Sequence, residues 1–144
     1  MPEFRCLSID QPYAYLIAMG DKTIEVRSWR THHRGPLVIA ATARKWSADL
    51  EDGSRITLPG GLALCLVDLT DVRPFTREDI EAAYMHEDDF EEGYYAWIFE
   101  NARPIKPFPI RGQQGLYRCT FEPEYITQDA LDALLVGESP SNQS

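Results

Sequence analysis

The chain has 144 residues, 44% of them hydrophobic, and a formal net charge of -9. That length favours one domain around one core, and no apolar run approaches the roughly 18 residues that a membrane helix needs. The overall negative charge weighs against non-specific attraction to a phosphate backbone.

The charge is unevenly spread. Between Lys22 and Trp46 six bases (Lys22, Arg27, Arg30, Arg34, Arg44 and Lys45) stand against the single acid Glu25, which leaves eight bases against 22 acids elsewhere. Asymmetry of this kind points to a polyanion site, with a solvated basic face as the plainer alternative. Met1 to Arg5 lacks the basic start and long apolar stretch of a secretory leader. Cys6, Cys65 and Cys119 are widely spaced, each inside an apolar run. They predict buried free thiols in a reducing cytoplasm, with no disulfide framework and no zinc spacing.

In chain order, Phe4 to Ile9 has strand composition. Asp10 is placed to cap a helix that carries Pro12 in its first turn, with Tyr13, Leu16 and Ile17 on one face and Gly20 closing it. Ser8 and Gln11 lie at the strand–helix junction, where free backbone N–H groups favour anions. Ile24 to Ser28 alternates, so Ile24 and Val26 face a core and Glu25 and Arg27 face away, with Trp29 following on their side. Gly35-Pro36 breaks the turn before Leu37 to Ala41, which is apolar on both faces like a central strand. Arg44 to Gly53 reads as irregular or weakly helical.

Leu62 to Leu69 is the strongest strand in the chain. Thr76 to Asp79 has the look of a helix start leading Ile80 to Met85 into a short helix. Glu87 to Glu92 holds five acids and no base, and reads as a solvated loop. From Tyr94 to Glu100 the chain is aromatic and strand-like, with Tyr95, Trp97 and Phe99 on one face. Pro104, Pro107 and Pro109 then force an extended segment onto a sheet edge. Leu116 to Phe121 is a last strand, and Thr127 caps a final helix carrying Ala130, Leu131, Leu134 and Leu135. Together these elements give an α+β chain: a small β-barrel of about six strands with inserted short helices. Residues 1–136 form a single domain and 137–144 a disordered polar tail.

The string Gly20-Asp21-Lys22-Thr23-Ile24-Glu25-Val26-Arg27 resembles the Gly-x-Lys-x-x-Glu-x-Arg signature of the ASCH (activating signal cointegrator homology) family. The likeness extends to Leu7–Ala14, to Ser28–Thr31 and His33–Ala43 of the cointegrator branch, to Tyr95-Ala96-Trp97 and to Pro109–Tyr117. It covers roughly residues 5 to 122. The resemblance implies a PUA-like barrel with a cleft beside the Lys/Glu/Arg string, and roles in RNA or DNA binding or in coactivator-type assembly. One branch removes the acetyl group of N4-acetylcytidine with a Lys and a Thr in this string and a distant Glu. Lys22 matches that Lys, and Glu25 stands at the Thr position. Another branch is described as a metal-independent ribonuclease.

These readings converge on a nucleic-acid-binding module for single-stranded or modified RNA or DNA. Its contacts are expected from Ser8, Gln11, Lys22, Arg27, Trp29, Arg34, Gly35, Arg44 and Lys45. Lys22 and Arg27 would hold phosphate or a base edge, and Trp29 and Trp97 would stack bases. Core packing is the alternative for each tryptophan. The second reading is a hydrolase of modified nucleosides or RNA phosphodiesters, with Lys22 as base or electrostatic stabiliser and Glu25 its partner. A protein partner engaging the acidic remainder is the third. No metal and no cofactor is expected, since adjacent His32 and His33 point apart.

Overall fold

A computed structural model describes residues 1–136; the expected polar tail lies outside the described residues. Eight strands and two helices follow in order: β1 (Glu3–Ile9), α1 (Tyr13–Ala18), β2 (Ile24–Arg27), β3 (Gly35–Ala41), β4 (Trp46–Asp49), β5 (Arg55–Leu58), β6 (Leu62–Pro74), β7 (Tyr95–Pro109), β8 (Tyr117–Thr120) and α2 (Gln128–Leu135). Six of the strands make one mixed sheet in the order β2-β7-β6-β3-β1-β8. The pairs are antiparallel except for β1 with β3, which run parallel from Arg5–Leu37 to Ile9–Ala41.

The sheet is mixed because α1 carries the chain away from β1 before β2 forms. β3, fully buried from Leu37 on, is then inserted between β1 and β6. Its apolar residues meet Ile17 and Ala18 of α1, Leu64 and Val67 of β6, and Trp97 and Phe99 of β7 in the main core. Alternation on β7 works as expected: Trp97 and Phe99 are buried, and Tyr95 packs beside them. Beyond Ile98 this strand has lost β2 as a neighbour. That free edge accommodates the three prolines, where a missing N–H costs little. Lys106 N–H and Ile126 N–H tie the edge to the approach of α2. Thr127 caps α2 as expected, its hydroxyl accepting from Ala130 N–H.

Three expectations need correction, and the fold class is met in part: the chain is α+β with a six-stranded sheet, while the end strands β2 and β8 share no backbone ladder that would close it. Arg44 to Gly53 is not irregular or helical: β4 and β5 form a hairpin with Trp46 opposite Leu58. Leu58 is buried and Trp46 packs against the main core, so burial of apolar side chains overrides weak local propensity. The segment 77–84 is a 3-10 turn followed by further turns rather than an α-helix.

Finally, Cys6 and Cys119 are joined by a disulfide, leaving Cys65 as the buried free thiol. In the β1–β8 register Cys6 faces Tyr117 and Cys119 faces Phe4, so the two cysteines are diagonal neighbours on one face. A separation of 113 residues hides that adjacency from the sequence. Paired in this way, the cysteines no longer favour a reducing compartment. Among the described residues no helix is long and apolar enough to cross a membrane.

Candidate functional site

The junctions β1–α1 and α1–β2 stand beside the turn region 83–94, and a cleft of about 970 Å³ opens between them. One wall carries Ser8, Tyr13, Lys22, Glu25, Arg27 and Trp29; the other carries Ala83, Tyr84, Met85, His86, Asp89 and Tyr94. The first wall is positioned by alternation in β2. Ile24 and Val26 pack with Phe75, Ile80 and Ala83, which turns Glu25 and Arg27 to the opposite side. Gly20, at φ +85, closes α1 in the left-handed region and delivers Lys22 beside β2.

Lys22 is only 4% exposed, which is rare for lysine unless its charge is met. Its Nζ donates to Ile24 O at 2.7 Å and to Ala83 O at 2.6 Å, and lies 3.5 Å from Glu25 Oε1. The Tyr13 ring lies 5.5 Å from the same nitrogen. An ammonium has three donors, and all three have acceptors here. Burial holds the Lys22 amine below its ordinary pKa, and Glu25 opposes that shift. Glu25 Oε2 accepts from Arg27 Nε at 2.9 Å, and Arg27 Nη2 donates to Ser8 O at 3.1 Å. Lys22, Glu25 and Arg27 therefore form one alternating chain of charge, ending on the backbone of β1. Arg27 keeps Nη1 without a partner among the described residues and is 25% exposed.

The remaining expected contacts divide. Ser8 lines the cleft, its hydroxyl sharing a 2.6 Å hydrogen bond with the Tyr117 hydroxyl. Gly112 backs it closely: a Cβ there would lie 2.9 Å from Ser8 Oγ. Trp29 also lines the cleft, yet its ring meets Trp97 edge-on at 4.8 Å and its carbonyl accepts from Trp97 Nε1. Trp97 itself is fully buried, so it belongs to the core. Gln11 is buried and structural: it accepts from Tyr15 N–H and donates to Pro59 O, taking over the capping expected of Asp10. Asp10 instead accepts from the Thr42 hydroxyl.

Arg34, Gly35, Arg44 and Lys45 do not line the cleft. Arg34 folds back on Thr31 O and His33 O and lies 4.0 Å from Asp71. Gly35 begins β3 opposite Leu69. What the sequence reading missed is the second wall, where Tyr84 and Tyr94 are 46% and 36% exposed. No motif marks them; only proximity to β2 does. Among the described residues no group of three or more His, Cys, Asp or Glu side chains is placed to hold a metal.

A mixed sheet with a helix inserted after its first strand, and a cleft lined by a Lys–Glu–Arg string, defines a small α+β domain with a polar cleft. The ASCH domain family model matches residues 7–109, and the chain belongs to that family. It is 31% identical over 128 residues to human activating signal cointegrator 1, covering 78% of this chain and 22% of that protein. The mouse protein of the same name is 30% identical with the same coverage. The chain thus spans about a fifth of the length of these relatives. Among solved structures, the ASCH protein from Zymomonas mobilis superposes with a TM-score of 0.59 at 15% identity, over 90% of this chain and 92% of that one. A point mutant of the same protein gives a TM-score of 0.60 at 16% identity, over 81% and 89%. At that identity the likeness bears on the fold alone.

Proposed function

We propose that this domain binds nucleic acid by taking a base, in single-stranded or modified RNA, into the cleft between β2 and the turn region 83–94. The observation that carries the reading is the mismatch between the charge of the Lys22–Arg27 string and what it leaves free. Lys22 and Glu25 satisfy each other, Arg27 offers one nitrogen, and the opposite wall offers exposed aromatic rings. Such a cleft suits a planar group with donors and acceptors on its edge better than a run of phosphates. Asp10 and Asp89 on its rim repel phosphate further. The six-stranded sheet is read as a PUA-like barrel, a reading supported by the hydrogen bond from Arg27 of the end strand β2 to Ser8 O of β1.

Fluorescence anisotropy with labelled single-stranded RNA tests this. Arg27→Ala weakens binding by about tenfold, the worth of one good polar contact to a base edge. The salt dependence is shallow, with a slope of about -1, because few free cations face the ligand. Unchanged affinity in Arg27→Ala overturns the reading.

A hydrolytic reading has one observation in its favour: a desolvated lysine with a lowered pKa beside a carboxylate in a cleft. Against it, both carbonyls and the carboxylate around Nζ are acceptors, which stabilise the ammonium rather than a free base. Product from N4-acetylcytidine or short RNA above a Lys22→Ala control would establish it.

A further inference from the structure

We propose that Tyr84 is the platform on which this cleft stacks a planar base, presented from a strained backbone conformation; the proposal rests on the base-binding reading above. Eight described residues have positive φ: six are glycines, one is Asn101, and the eighth is Tyr84 at φ 56. Glycine has no Cβ to clash there, and asparagine tolerates the region through local hydrogen bonding. A bulky aromatic residue does neither.

The local fold gives Tyr84 no compensation. Tyr84 N–H donates to Glu81 O and Met85 N–H to Ile80 O, both at 3.1 Å. This two-bond closure of a helical turn is one whose left-handed position glycine usually fills. Ala82, Ala83 and Met85 pack into the cluster with Ile24 and Phe75, but Tyr84 does not. Tyr84 is 46% exposed. A tyrosine here costs the fold something and returns nothing visible to it. Violations of local rules of this kind concentrate where a ligand is met.

The turn is also braced against movement. Ala83 O accepts from Lys22 Nζ at 2.6 Å, and Ala82 O accepts from the N–H groups of Thr23 and Ile24 at 3.2 and 3.3 Å. Lys22 thus acts as a clamp: it holds the backbone next to Tyr84, and Tyr84 and Arg27 line the same cleft. A ring carried on a fixed backbone has only its own side-chain rotations to lose on binding, so more of the stacking energy appears as affinity. The ligand class is a nucleobase or other flat heteroaromatic group; a bare sugar–phosphate strand has no face to offer the ring.

The test compares labelled RNA octamers of adenosine and of uridine with an abasic octamer, against Tyr84→Phe, Tyr84→Asn, Tyr84→Gly and Arg27→Ala. Tyr84→Phe binds the base-bearing octamers within about twofold of wild type. Tyr84→Asn and Tyr84→Gly lose about tenfold or more, the scale of one stacked base. Both melt at or above the wild-type temperature, because both residues accept the left-handed conformation. The abasic octamer distinguishes none of the Tyr84 variants. Wild-type affinity in Tyr84→Asn, or a melting temperature several degrees lower in both Tyr84→Asn and Tyr84→Gly, overturns the proposal. If Arg27→Ala weakens binding while Tyr84→Asn does not, the proposal alone falls. If the wild-type chain binds no octamer, the base-binding reading falls and takes the proposal with it.

Discussion

The two walls of the cleft are built on opposite terms. The β2 wall holds the conspicuous residues, but most of their capacity is consumed internally: Lys22 by two carbonyls and Glu25, Glu25 by two cations, the Trp29 ring by Trp97, with Arg27 Nη1 left over. The facing wall is plain in sequence and unspent in structure, with Tyr84 and Tyr94 exposed. A dense charged motif can thus be a brace: its partners are used up in fixing a surface, and the exposed side chains left free stand on the neighbouring turn.

Removing the brace should have the largest effect. Glu25→Ala leaves Lys22, 4% exposed, without its counter-charge. Breaking a buried pair from one side costs about 3–5 kcal/mol, read as a lower denaturation midpoint. The deficit also depends on pH. Glu25 raises the Lys22 pKa, so its loss lowers that pKa further in the folded state. A lysine depressed on folding costs stability below its folded pKa and recovers it as pH rises towards the unfolded value. The variant should therefore approach wild type at alkaline pH. A deficit that does not narrow between neutral and alkaline pH would mean that Lys22 is not left charged and unpaired.

The facing wall has its own anchor, and testing it sharpens the contrast. Asp79 accepts from Arg73 Nη1 and Nη2 at 2.8 Å and from Thr76 N–H at 2.9 Å, fixing the start of the turn that ends in Tyr84. The Arg73 hydrogen bonds chiefly hold its carboxyl below the ordinary 3.8. A carboxyl lowered on folding stabilises above its unfolded pKa, and that stability is lost as pH falls through the folded value. Asp79→Asn should cost about 2 kcal/mol at pH 6, and the gap to wild type should begin to narrow below about pH 4 and go on shrinking as pH falls through the folded value. A gap constant from pH 6 to pH 2 would assign the loss to geometry and not to charge.

The pattern of apolar residues made much of this legible. Alternation placed Ile24 and Val26 inward, and the apolar runs of β3 and β6 marked the central strands. The Thr127 cap was visible because capping is local. What escaped depends on distant chain segments. The β4–β5 hairpin is decided by burial of Leu58 and by Trp46 against the core, and the Cys6–Cys119 pair by a β1–β8 register that no spacing reveals. Lys22 looked like a ligand group because its acceptors include Ala83 O, 61 residues away. Tyr84 escaped for a different reason: a turn closed without glycine carries no mark in sequence.

The smallest effect concerns the basic residues outside the cleft. Arg34, Arg44 and Lys45 make up half of the six bases between Lys22 and Trp46, and on charge alone each would be expected to hold phosphate. In the structure none of them lines the cleft, and Arg34 already donates to two carbonyls of its own turn. Exposed charges separated from a ligand by more than about 10 Å are largely screened at 0.1 M salt. The triple change Arg34→Ala, Arg44→Ala and Lys45→Ala should therefore leave affinity for a short RNA within about twofold, and the stability within about 0.5 kcal/mol. A loss as large as that from Arg27→Ala, together with a flatter salt dependence, would move the binding face from the cleft to the outer surface of the basic segment. It would also mean that the charge distribution had been the better guide than the hollow.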